Sequence, residues 1–169
     1  MKRSLDFKTY FLILKLIIME NDNQIMVLND LIKINNDRIE GYRKAAENFN
    51  DEHTELLSIF NSFAMDSQEY KEQLMQHVRR LGGDTDEGTT TSGKIYRAWM
   101  DVKATFGGDG ALGTLESCEF GEDAAKKAYK TALDSGALDT QALSTVINQQ
   151  QQQMQAHDRI KRLRDQFKN

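Results

Sequence analysis

The chain has no proline, one cysteine and one tryptophan in 169 residues. Without proline, no helix is broken by a missing N–H or a ring clash, so long uninterrupted helices are allowed. The single thiol, Cys118, excludes an intramolecular disulfide and is compatible with a reducing compartment. Blocks of one charge are also missing. The 22 basic and 26 acidic residues are mixed along the chain for a net charge of −4, far from the concentrated basic face of a nucleic-acid binder. The nearest approach to one, HDRIKRLR from His157 to Arg164, reads as a solvated helix C-terminus, where cations suit the dipole. No phosphate-cradling glycine loop occurs, because Gly107-Gly108-Asp109-Gly110 has no Lys-Ser/Thr after it.

Long apolar runs are confined to the N-terminus. MKRSLDFKTYFLILKLIIM has the basic start and apolar stretch of a signal peptide, but Lys15 interrupts it and no small-x-small cleavage site follows. It is too short to span a bilayer, which takes ~20 residues. Met19 opens MENDNQ just ahead of the first periodic helix. The expectation is a dispensable extension at 1–18 before one domain at 19–169, in the cytoplasm, with export as the alternative. The length suits a single domain with a sizeable core.

What is present is helical period. Four segments carry it, at about 24–49, 52–82, 110–134 and 139–167. Only Asn50-Asp51 and its neighbours separate the first two, which makes them antiparallel neighbours. The last two are joined by DSGALD, where Gly136 can stop one helix and Asp139 can cap the next. Between the pairs, GGDTDEGTTTSG leads into a short helix at 94–106 with Ile95, Trp99, Val102 and Phe106 on one stripe. Short, long, short connections predict an all-α, ferritin-like four-helix bundle with a long crossover between helices two and three.

The seams turn polar near their midpoints. Helix one runs Leu28, Ile32, Asn35, Ile39, Tyr42, so an asparagine stands where the period asks for an apolar residue. Helix two passes through Ser67 and Tyr70, helix three through Glu122, and helix four through Gln150, Met154 and His157. In an antiparallel bundle these midpoints fall in one layer. Buried polar groups need partners, so Asn35, Arg38, Ser67, Tyr70, Glu122, Gln150 and His157 are expected to form a network, with Arg38 neutralising Glu122. The exposed members of the glutamine run at 149–153 read as solvated, as do Glu116 and Glu119. An internal repeat supports the layer: Asn35-x6-Tyr42 matches Glu122-x6-Tyr129. Cys118 reads as an inert core thiol, and His53 and His77 lie near helix ends without motif partners. No catalytic residue is assigned.

The stretches LNDLIKINNDRIEGYRKAAE, VRRLGG, SGKIYRAWMDVKA, CEFGEDAAKKAYKTAL and QAHDRIKRLRD, from about Leu28 to Asp165, resemble an uncharacterised bacterial ferritin-like family of unknown function. The resemblance implies a fold rather than an activity. Di-iron members of the superfamily carry a Glu on each of two helices and Glu-x-x-His on each of the other two. Here those positions fall at Asn35, Glu122, Ser67-x-x-Tyr70 and Met154-x-x-His157. One Glu and one His are too few for two metals. The reading is therefore a non-catalytic bundle without a cofactor, structural or partner-binding, with a homodimer as a reasonable assembly. The alternative is a mononuclear transition-metal protein, redox or stress-related, using Glu122 and His157 with weaker help from Glu119 or Asn35.

Overall fold

The computed structural model describes residues 6–47, 49, 53–85 and 110–168. They form four helices and, among these residues, no strand: α1 (Phe7–Glu47), α2 (Thr54–Arg80), α3 (Gly110–Asp134) and α4 (Thr140–Lys168). The expected crossover helix at 94–106, with Trp99, lies outside the described residues. α1 packs on α2 and α3, and α4 packs on α3 and α2.

Cross-helix contacts set the directions. Asn35 meets Tyr129 and Arg38 meets Glu122, so α1 and α3 are antiparallel. Arg38 meets Ser67 while Asn29 reaches the carbonyl of Asp84, so α1 and α2 are antiparallel as well. α2 and α3 therefore run parallel across the diagonal. The end of α2, by Asn29, and the start of α3, where Ala111 packs with Phe49 and Leu56, therefore lie at opposite ends of the bundle.

Local chemistry ends the helices where the sequence suggests. Beyond Leu81, Gly82 takes a φ of 76°, and the amides of Gly82 and Gly83 bond back to the carbonyls of Arg79 and Val78. That pair of bonds is a Schellman motif, which satisfies carbonyls a helix end leaves open. Gly136, at φ 67°, ends the α3 turn. Asp139 then caps α4 by accepting the Ala142 amide at 2.8 Å.

α1 begins far ahead of the expected 24, because nothing between Phe7 and Gln24 breaks a helix. Its first buried residue is Gln24, so the leading turns overhang the bundle. Tyr10 to Leu14 and Leu16 to Met19 are all exposed, apolar side chains pointing in every direction. No described helix is long and apolar enough to cross a membrane.

Two apolar cores fill the bundle. One gathers Leu28, Leu31, Leu74, Val78, Ala128, Tyr129 and Val146. The other gathers Tyr42, Phe49, Leu56, Phe60, Leu115 and Ile160 near the opposite end. A polar layer lies between them.

Candidate functional site: the polar layer and its flank

The layer is built from Asn35 and Arg38 of α1, Ser67 and Tyr70 of α2, Glu122 of α3 and Gln149 of α4, all buried. Two hydrogen-bonded chains run through it. In the first, Arg38 Nη1 donates to Glu122 Oε2 at 2.5 Å and Nε donates to Ser67 Oγ at 3.2 Å. Ser67 passes its own proton back to the Phe63 carbonyl at 2.7 Å. The Tyr42 hydroxyl donates to the other Glu122 oxygen, Oε1. Glu122 is thus held at both oxygens, by a cation and by a phenol.

In the second chain, Asn35 Nδ2 donates to the Leu31 carbonyl at 2.9 Å and to the Tyr129 hydroxyl at 2.7 Å. Tyr129 donates onward to Gln149 Oε1 at 2.9 Å. Gln149 Nε2 reaches the Tyr70 carbonyl and Gln73 Oε1, at 3.2 and 2.9 Å. This chain therefore joins all four helices. Among the described residues, the buried Asn35 Oδ1 has no hydrogen-bond partner.

The electrostatics follow from burial. Desolvation is the largest influence on Arg38 and works against its charge, but Glu122, with Tyr42 and Tyr129 adding, more than offsets it and raises the guanidinium above its ordinary value. Burial pushes Tyr42 well above its ordinary value, with Glu122 adding to the effect. Tyr129 is pushed up to about 12 by burial, and its bond from Asn35 works the other way. Cys118, in contact with the second core, is pushed up to about 12 by burial and then by Glu122. All three stay protonated near neutral pH, as donors and an inert thiol must. Arg38 also lies 5.6 Å from the Tyr42 ring centroid, which stacks on Phe60.

Most of the expected residues meet in the layer, but two do not. Gln150 is only half-buried, and Gln149 takes its place. The buried stripe of α4 runs through Ala142, Val146, Gln149, Gln153 and His157, one residue away from Leu143, Ile147, Gln150 and Met154. Ile147 and Met154 are 39% and 46% exposed. The bulky Tyr129 phenol, itself fully buried, shares its core with the smaller Ala142 and Val146.

His157 is also buried but does not reach Glu122. Its Nε2 lies 3.0 Å from Asp123 Oδ1 and its Nδ1 lies 3.0 Å from Asp158 Oδ1. Asp123 is one residue past Glu122, about 100° further round α3, and so turns to the α3–α4 flank. Glu119 shares that flank, where it is paired with Arg164. Tyr70 contributes its backbone carbonyl. His53 packs edge-on against Phe49 and Phe167, and His77 contacts Thr145.

Sequence reasoning left Asp123, Gln149, Gln73 and Gln153 out. The i,i+4 spacing of Glu119 and Asp123, opposite a seam histidine, was the available signal for the first.

No curated protein sequence matches the chain. Residues 23–135, well over half of the chain, match the family described as Domain of unknown function (DUF2383), and the protein belongs to that family.

Proposed function

We propose that the protein is a non-catalytic, ferritin-like bundle that acts structurally or by binding a protein partner. Its polar layer occupies the position where di-iron members of that superfamily hold their metals. The observation that carries this reading is the saturation of Glu122, 2% exposed, by Arg38 and Tyr42. A cation entering there would have to displace a guanidinium that fits the same carboxylate, and it would then leave Arg38 buried and unpaired. That loss is severe, about 3–5 kcal/mol for breaking a buried pair. The parallel diagonal of α2 and α3 supports the ferritin-like arrangement. The single thiol, partly buried against the second core, suits a cytoplasmic setting, and pairing of two copies along their helices suits the exposed Ile147 and Met154.

A network of this kind fixes helix register through buried hydrogen bonds that only one alignment satisfies. Exhaustive chelation followed by thermal unfolding tests the proposal. The chelated protein should stay helical and unfold in one cooperative transition. Collapse of that transition on chelation, in an Asp123→Asn variant as well as in the parent protein, would mean that a metal, rather than Arg38, holds the layer.

A further inference from the structure

Outside the layer, a second constellation sits on the α3–α4 flank. Glu119 and Asp123 are one turn apart on α3, and His157 faces them from α4. One donor atom from each lies within 4.8 Å of the other two. The three side chains grade from buried to open: His157 is 9% exposed, Glu119 13% and Asp123 58%. An imidazole nitrogen at the base, a carboxylate at the wall and a second carboxylate at the mouth leave one side open to solvent.

The histidine is the informative member. Both of its ring nitrogens face carboxylate oxygens at 3.0 Å. A neutral imidazole has only one N–H. With Nδ1–H donated to Asp158, Nε2 and the Asp123 oxygen converge at 3.0 Å, and either a second ring proton or a metal ion between them can join the two. A carboxylate on the far ring nitrogen is also how metal-binding histidines are oriented, because it fixes the tautomer and raises the basicity of the ligand nitrogen. Asp158 stands in that position, independently of the two acidic residues on α3.

We propose that Glu119, Asp123 and His157 form a mononuclear site for a divalent transition metal, with Asp158 orienting the histidine and water completing the shell. Two carboxylates balance the charge of the ion, and one nitrogen with two oxygens suits zinc, iron(II), manganese(II) or cobalt(II). Metal–ligand bonds of about 2.0–2.2 Å require the donors to draw closer together. Asp123, more than half exposed, is free to turn inward. Arg164 opposes binding. Its Nη1 pairs with Glu119 Oε2, while Nε and Nη2 hold Asp165 at 3.0 and 2.5 Å. Because Asp165 keeps that guanidinium paired, Glu119 can be released to a metal. The site is separate from the Arg38–Glu122 pair and does not depend on the reading of the layer.

The test is titration of untagged, chelator-treated protein with cobalt(II), followed by its visible absorption, and with zinc(II) by calorimetry. The expected result is saturation at about one equivalent, with zinc displacing cobalt. Asp123→Asn should weaken binding at least tenfold, and Asp158→Asn by roughly tenfold, the usual size of a second-layer effect. Arg164→Gln should tighten it. Asp123 is exposed enough for its variant to keep the fold, so the test survives even if His157→Gln unfolds. Absence of saturable binding, or binding unchanged by Asp123→Asn, would overturn the proposal.

Discussion

The Asn35 amide donates to the Tyr129 hydroxyl at 2.7 Å. These residues hold opposite positions in the internal repeat: Asn35 leads the first copy, and Tyr129 ends the second. The complementary pair, Tyr42 and Glu122, makes the reciprocal bond. The two copies therefore grip each other crosswise, which antiparallel packing of α1 on α3 makes possible. In this arrangement Asn35 has a definite hydrogen-bonding role. It is the donor that lets the Tyr129 hydroxyl spend its own proton on Gln149.

Replacing that donor tests the crosswise pairing. Asn35→Leu removes the bond and with it the amide donor nearest the Tyr129 oxygen. Such a loss costs about 1–3 kcal/mol, measurable as a lower urea midpoint at unchanged slope. A change below about 0.5 kcal/mol, the size of an ordinary surface substitution, would mean that the bond contributes little.

The cap at Asp139 carries a pH signature. Burial works to raise its carboxyl, but the Ala142 amide, with Arg80 nearby at 2.6 Å, holds it below the ordinary value. A carboxyl depressed in the folded state contributes fully above its unfolded value of about 3.9 and less as pH falls through the folded one. Asp139→Ala should therefore cost about 1 kcal/mol at neutral pH, the typical worth of a cap, and the deficit should shrink in acid. A deficit independent of pH would show that the carboxylate charge is not what matters.

The overhang of α1 is open to truncation. None of residues 7–23 is buried, so removing residues 1–18 should leave stability within about 0.5 kcal/mol. Exposing fewer large apolar side chains should also reduce self-association, readable by sedimentation. Loss of more than about 2 kcal/mol would place the extension within the folding unit.

The legible and illegible parts of the sequence differ for physical reasons. Helices α2, α3 and α4 were readable within two residues of their ends, because Gly82, Gly136 and Asp139 are chemical stop and start signals. The layer was readable because Asn35, Ser67 and Glu122 interrupt clear apolar periods. The start of α1 was not, since a helix can continue past its last tertiary contact when no residue breaks it. The face of α4 was missed because two neighbouring stripes satisfy the same period. The stripe with larger apolar residues looked inward, yet the smaller one shares its core with the Tyr129 ring. His157 was correctly placed on a seam, but a seam residue at the edge can serve a flank instead of the centre.

The central claim is that Arg38, rather than a metal, is the partner of Glu122, and a double-mutant cycle in chelated buffer tests it most directly. Glu122→Gln and Arg38→Met each leave a buried charge without its counter-charge, whereas the double substitution removes both charges. The single changes should cost several kcal/mol, about 3–5 for an orphaned buried charge, and the pair should show a coupling of about 2–3 kcal/mol. A coupling near zero, with the two single effects simply adding, would contradict the account.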